Sequence, residues 1–447
     1  MIRNVYTGIF FIIHFCLGCS SKSELPRTLC AAHLTEGYTD KVSYLPGEKV
    51  KLYLHASHPV DPCALTIFSV NGDSVFSVWS RLPFHAKYPW NTGSTDGFRY
   101  PLTSEFTLPE VKSGIYLIGN KIPIIVKTRK AVDLLVIYPS NTANAYSFSG
   151  GKNLYSLKMT QVSFERPIEL QPYSKHCLNW LVDQSDFSVG YVSDIDLEDF
   201  NNISSARIVS IIGHSEYWTR LARENFDRFV NEGKHAIVLS GNTMWWQVRY
   251  SEDGTKLICF RDADRDSIHD PLLKTIAWNH PSLNYPVVKS IGSDFAHGGY
   301  GKEKDSGWDG YKIIAESSPL LEGTNVKRGD VISLPTLEYD GTLLKGTDKH
   351  GYPVMDVHAL GFIRGEIIAF DRGFREGETT PTFIVFQKTA TSGIVVNAGS
   401  TEWCGAGGIG GQSGEVIKKI TRNAIVKLLH NENVFVASSP DDTLATR

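Results

Sequence analysis

The chain has 447 residues, of which 42% are hydrophobic and 21% charged; this is a globular composition and excludes wholesale disorder. At about 150 residues per domain the length admits three domains, or two large ones. Its 45 basic and 48 acidic residues leave a net charge of -3, so the surface has no net drive toward nucleic acid and no such partner is expected.

Residues 1–19 read as a lipoprotein-type signal peptide. Arg3 precedes an apolar run from Val5 to Leu17. The run is short for a bilayer-spanning helix and suits the hydrophobic segment of a signal. Gly18-Cys19 followed by Ser20 and Ser21 resembles a bacterial lipoprotein signal, in which the Cys becomes the acylated first residue. Cys19 is therefore the expected lipidation site. The expected location is the bacterial cell envelope, lipid-anchored or secreted, with the membrane as a partner through the anchor. Residues 20–34 read as a tether. Among the five Cys beyond Cys19 no C-x-x-C spacing is present. In an oxidising compartment Cys30 and Cys63 are candidates for a bridge.

From 35 to 130 the pattern is that of short strands in a β-sandwich. Val50, Leu52 and Leu54 fall on one face, and Lys49, Lys51 and Tyr53 on the other, after a Pro46-Gly47 turn. CALTIFSV and GIYLIGNKIPIIVK repeat the theme. The aromatic-rich loop FHAKYPWNTGSTDGF, with His85, either borders a binding face or plugs the sandwich end.

At Asp133 the period changes. DLLVIYP is apolar without alternation, as in a strand buried on both faces. A helix near Lys175–Asp183 follows, then strands in SVGYVSD and ARIVSIIGH. A helix is expected over YWTRLARENFDRFVNEG, with Trp218, Leu221, Ala222, Phe226, Phe229 and Val230 on one face and Gly233 at its end. HAIVLSG is the next buried strand. Such alternation implies parallel strands joined by right-handed crossovers. Residues 131–434 are expected to form one α/β domain, closing on a helix from Gly414 to Leu429, with 435–447 as a flexible tail.

Ligands of open α/β sheets sit at the C-terminal ends of strands. Three such ends collect polar residues: Pro139–Tyr146, Gly213–Trp218 and Ser240–Gln247. His214 and Glu216 form either a site pair or a structural pair, since the macrodipole alone favours a Glu in a first helical turn. Their H-x-E spacing has no fixed geometry comparable with H-E-x-x-H. Ser215 between Gly213 and Tyr217 suggests a serine-hydrolase elbow, with His269, His280, His297 or His358 as partner. Against that, Tyr217 stands where the tight elbow needs a small residue.

Seven segments carry a resemblance: GYTDKVSYLPGEKVKLYL, AYSFSGGKNLY, VSFERP, NWLVDQSDFSVGYVSDIDL, IIGHSEYWTRLARENFDRFVNEGKHAIVLSGNTMWWQVR, LEYDG and VVNAGSTEWCGAGG. In this order the chain resembles the large (β) subunit of N,N-dimethylformamidase and the family built on its C-terminal region. The resemblance implies a β-rich N-terminal part and a glutamine-amidotransferase-like (flavodoxin-like) three-layer α/β domain without a catalytic Cys. It also implies a mononuclear ferric (Fe3+) centre held by two Tyr and one Glu, with a His beside it. By motif, Tyr146, Tyr155 and Glu216 would be the ligands and His214 the neighbouring base. Asn242 would line the pocket, with Glu338 as a further acidic residue. Hard anionic oxygen donors suit ferric iron. The implied activity is hydrolysis of an amide-type C–N bond in a small amide or a sugar or amino-acid derivative. Two alternatives stay open: a non-enzymatic surface lipoprotein binding carbohydrate or peptide in the same crevice, and a serine hydrolase using Ser215. The oligomeric state also stays open.

Overall fold

The computed structural model describes residues 30–85, 92–301 and 307–436. Cys19, the signal segment, most of the tether and the tail beyond 436 lie outside the described residues.

The alternating N-terminal segments form eight strands. These are β1 (Leu34–Thr39), β2 (Ser43–Tyr44), β3 (Lys49–Ala56), β4 (Val60–Ser69), β5 (Ser74–Leu82), β6 (Ser104–Thr107), β7 (Gly114–Ile118) and β8 (Ile122–Val126). They make two sheets, ordered β1-β3-β6 and β2-β8-β7-β4-β5. Period-two alternation sends Val50, Leu52 and Leu54 into a core shared with Leu65, Ile67, Ile118 and Ile124 of the other sheet, and leaves Lys49 and Lys51 in solvent. Cys30 and Cys63 are disulfide-bonded inside this core, Cα atoms 5.2 Å apart, tying the entry turn to β4.

The apolar runs after Asp133 build a nine-stranded mixed sheet. Its strands are β9 (Leu134–Tyr138), β10 (Val189–Ser193), β11 (Ile208–His214), β12 (His235–Gly241), β13 (Gly310–Ile313), β14 (Val331–Ser333), β15 (Arg364–Phe370), β16 (Thr382–Gln387) and β17 (Ile394–Asn397). The spatial order is β10-β9-β11-β12-β17-β16-β15-β13-β14. The first five strands are parallel. The last four are added antiparallel, an extension the strand–helix alternation does not foretell.

The helices of seven or more residues are α1 (Ser140–Tyr146), α2 (Lys175–Val182), α3 (Arg220–Asn231) and α4 (Gly414–Leu429). Leu134, Val136 and Tyr138 pack with α2 and α4; Leu135 and Ile137 pack into the core that holds Phe226 and Phe229 of α3. The sheet is thus covered on both sides, which is why its strands read as unbroken apolar runs. Ile115 and Ile125 of the sandwich join the α2–α4 core. The fold is mixed α/β. Among the described residues no helix is long and apolar enough to cross a membrane.

One expectation is corrected. The helix expected from Tyr217 begins at Arg220, because Tyr217–Thr219 pairs in parallel with Trp246–Val248 as a separate strand. The Thr219 side chain then caps the helix by accepting from Ala222 N (3.2 Å). Glu216 therefore lies outside any helical turn, and the macrodipole does not explain it.

The chain leaves β9 toward β10 on one side and β11 toward β12 on the other. This reversal of direction falls at the C-terminal ends of β9 and β11, the place where ligands of such sheets bind in a crevice.

Candidate functional site

Each strand end contributes to one place. Tyr146 is the last residue of α1, directly after β9. His214 is the last residue of β11, and Glu216 follows it. Asn242 follows β12, with φ +48°. Glu338 opens a short strand, Glu338–Gly341. Two glycines permit the close packing. A Cβ on Gly213 (φ +73°) would lie 2.3 Å from Ser174 Oγ, and one on Gly241 would lie 2.5 Å from Glu338 O.

The buried His214 ring donates from Nδ1 to Gly241 O (3.1 Å), which turns Nε2 toward the crevice. There Nε2 stands 3.2 Å from Tyr146 OH, 3.2 Å from Glu216 Oε2 and 3.5 Å from Glu338 Oε2. Tyr155 OH donates to Glu216 Oε1 (2.6 Å), accepts from Trp246 Nε1 (3.4 Å) and lies 3.5 Å from Tyr146 OH. Asn242 Nδ2 donates to Glu338 Oε2 (3.3 Å). The Glu216 backbone N–H is fixed by Thr142 Oγ1 (2.9 Å). The six residues singled out in the sequence are brought together.

Charge is concentrated here. Burial, then the charge of Glu216, pushes both tyrosine hydroxyls well above the ordinary phenol range. Burial likewise raises Glu338, against the pull of His214. For His214 burial opposes protonation, but the Glu216 contact and the charges of Glu338 and Glu216 outweigh it and raise the imidazole to about 9.

Among the described residues no three His, Cys, Asp or Glu side chains converge as a metal site. The convergence here is of another kind, two phenols and one carboxylate. Glu216 is fully buried, and its Oε2 faces His214 without the alignment of a hydrogen bond. An anionic oxygen so placed is a ready ligand for a cation. Tyr146 and Tyr155 are 36% and 46% exposed, yet their hydroxyls point inward to this oxygen cluster.

Ser215 does not fit the serine-hydrolase reading. It is fully buried, and its Oγ accepts from Trp218 Nε1 (3.0 Å). His280 bonds Ser282 and His297 bonds Asp294, while His269 and His358 are exposed. The strand Tyr217–Thr219 pulls the chain straight where an elbow would turn it.

Several neighbours escape sequence reasoning. Tyr173 stands edge-on to His214, ring centroids 5.9 Å apart. The Arg261 guanidinium lies 5.3 Å over the Tyr155 ring. Arg166 grips the loop between the two tyrosines. Its VSFERP motif was visible, but nothing in the spacing says what an Arg there holds. The aromatic-rich loop borders this region: Ser94 Oγ donates to Ser149 O (3.2 Å) and accepts from Lys152 N (2.9 Å). Its residues 86–91 lie outside the described ones. A separate cavity of about 360 Å³ lies between the sandwich and the α/β layers, and none of the six candidate residues lines it.

A comparison with curated proteins finds no match. A family model does match, over residues 72–409, three quarters of the chain. The matched stretch starts at the β4–β5 turn and contains all six crevice residues. Its description is N,N-dimethylformamidase beta subunit-like, C-terminal, in agreement with the motifs around Tyr146, Glu216 and Asn242, and the chain belongs to that family.

Proposed function

We propose that the protein is a hydrolase of amide-type C–N bonds, with iron held by Tyr146, Tyr155 and Glu216. The observation that carries this is the meeting of two tyrosine hydroxyls and a buried glutamate within 2.6–3.5 Å of one another or of His214 Nε2. The parallel strands, ordered 2-1-3-4-5 by appearance, support the flavodoxin-like reading of the domain.

When bound, a ferric ion would supply Lewis acidity and the pull that strips the phenol protons. The chain's own residues supply the rest. With Glu216 engaged as a ligand, its pull on His214 weakens. A neutral His214 then presents the Nε2 lone pair while Nδ1 stays anchored on Gly241 O. It takes a proton from the attacking water and returns it to the departing amine nitrogen, so that amide and water become carboxylic acid and amine. Asn242 Nδ2 donates toward the carbonyl oxygen as charge develops there. Glu338 holds both His214 and Asn242 in place. A small amide, or a sugar or amino-acid derivative, is the substrate class. The proposed setting is the bacterial cell envelope, through acylation of Cys19.

The test uses the purified chain loaded with ferric iron and offered small formamides. Stoichiometric iron, a visible phenolate-to-iron band and amine release are expected, with the band weakened or lost in Tyr146→Phe. A chain that takes up no iron and releases no amine overturns the reading. A folded, iron-free chain that binds sugars or peptides in the crevice would favour the non-enzymatic alternative.

A further inference from the structure

We infer that Arg166 is a positioning residue, whose buried guanidinium clamps the loop bearing Tyr146 and Tyr155 so that both hydroxyls meet Glu216. The inference rests on the ligand set proposed above.

Arg166 is fully buried and makes seven hydrogen bonds. Nη2 donates to Asn144 O (2.6 Å) and Asn144 Oδ1 (2.9 Å). Nε donates to Asn144 Oδ1 (3.1 Å) and Ser163 O (3.0 Å). Nη1 donates to Ser147 O (3.1 Å), Ser149 O (2.6 Å) and Lys152 O (3.2 Å). These partners bracket Tyr146 and lead into Tyr155. The grip continues through Asn153, whose Nδ2 donates to Tyr146 O (3.3 Å) and whose Oδ1 accepts from Tyr155 N (3.0 Å). Leu154 N donates to Ala145 O (2.9 Å). Both tyrosines hang from one polar knot with the guanidinium at its centre.

The chemistry explains the choice of Arg. Carbonyls at the end of α1 lack the full set of intrahelical partners; Asn144 O accepts a shared bond from Ser147 N (3.2 Å) and takes the guanidinium as a further donor. The carbonyls of the following turn converge on the same point. Only a planar fork of five N–H donors can serve them together; a lysine offers three donors at a single point. Leu154 anchors the loop in a small apolar cluster with Ala145 and Met159, while Phe148 and Leu157 face solvent and leave the turn between the tyrosines to the hydrogen bonds.

Arg223 is the matched control. It too is fully buried, and it donates to Tyr285 O, Pro286 O and Ser290 Oγ beside α3. The test takes the full chain and compares Arg166→Lys, the milder Asn144→Ala, and Arg223→Lys. Amide hydrogen exchange over 144–155 is read in the metal-free protein, and iron affinity is read from the phenolate band. Arg166→Lys should speed exchange over 144–155 by about tenfold or more while sparing 208–214. Its iron affinity should fall about 10–100-fold, the usual range for a residue that orients ligands. Asn144→Ala should move both in the same direction by less, and it carries the test if Arg166→Lys does not fold. Arg223→Lys should leave the loop and the iron as in the wild type. Wild-type exchange and wild-type affinity in Arg166→Lys, or equal effects from Arg223→Lys, overturn the inference. If the wild type takes up no iron, the metal reading is what fails, and the exchange comparison alone decides the clamp.

Discussion

The two walls of the crevice are built on opposite principles. His214, Glu216 and Asn242 sit at the ends of β11 and β12, strands packed by cores on both faces, and all three are buried. Tyr146 closes α1 and Tyr155 lies on the loop that follows; both are partly exposed and are held by hydrogen bonds through Arg166 and Asn153. The first wall draws its precision from hydrophobic packing and the parallel ladder; the second draws it chiefly from the hydrogen bonds around Arg166, with Leu154 as its apolar anchor. A metal held between them would join a rigid carboxylate to phenols that can still adjust. Sites on strands are held more closely than sites on loops unless a supporting shell fixes the loop. Here Arg166 is that shell.

The largest effect should come from breaking the packing under the strand wall. Phe226 of α3 is fully buried beneath β9, β11 and β12. Phe226→Ala should lower stability by about 3–5 kcal/mol, read from urea unfolding. Iron uptake by the molecules still folded should stay near wild type, since no crevice group is touched.

A smaller effect is expected behind the loop wall. The buried Asp266 carboxylate pairs with Arg249 (2.6 and 2.8 Å) and accepts from Thr275 N and Oγ1 (2.8 Å each). This fastens the segment bearing Arg261, which lies over Tyr155, to the strand bearing Trp246, which reaches the Tyr155 hydroxyl. Burial works to raise the Asp266 carboxyl, but the Arg249 and Thr275 donors prevail and hold it below the ordinary carboxylate range. The stability it contributes is therefore present above about pH 4 and is lost as pH falls through the folded value. Asp266→Asn should lower stability by about 1.5–3 kcal/mol at neutral pH. The gap to the wild type should narrow below about pH 4, and a gap constant from pH 7 to 3 would sink the argument.

Legibility follows the same division. The strand wall could be read because burial on both faces leaves an unbroken apolar signature, as in Leu134–Tyr138 and Ile208–Ile212. α4 was readable because its inward residues keep the helical period over the whole of Gly414–Leu429. The sandwich was readable from its two-residue alternation, and its cysteines pair as the compartment argument suggested. The antiparallel half of the sheet was not readable, because GEIIAFD carries no mark of strand direction. The start of α3 was misread because Tyr217–Thr219 fits a helical face equally well, and only pairing with Trp246–Val248 decides it. Tyr155 emerged through family resemblance alone, and Tyr146 stood only at the end of a candidate segment until the resemblance singled it out; no spacing shows that these two tyrosines will meet a glutamate 61 residues or more away. Arg166 was hidden for the same reason, since most of its partners are backbone carbonyls, which leave no trace in sequence.

The smallest effect tests the loop wall where it looks most fragile. Phe148 and Leu157 flank the two tyrosines and are 67% and 86% exposed. If apolar contact by these two side chains shaped this loop, replacing them with serine would loosen it and weaken iron binding. If the Arg166 network shapes it, the two side chains are bystanders to its geometry. The second case follows from the hydrogen bonds, since no bond of the Arg166 or Asn153 network is made by either side chain. Phe148→Ser and Leu157→Ser should therefore each change stability by less than about 0.5 kcal/mol. Iron affinity and hydrogen exchange over 144–155 should stay at wild-type values. A Michaelis constant that rises while these stay fixed would place the exposed rim in contact with substrate, and would separate what shapes the loop from what the loop touches.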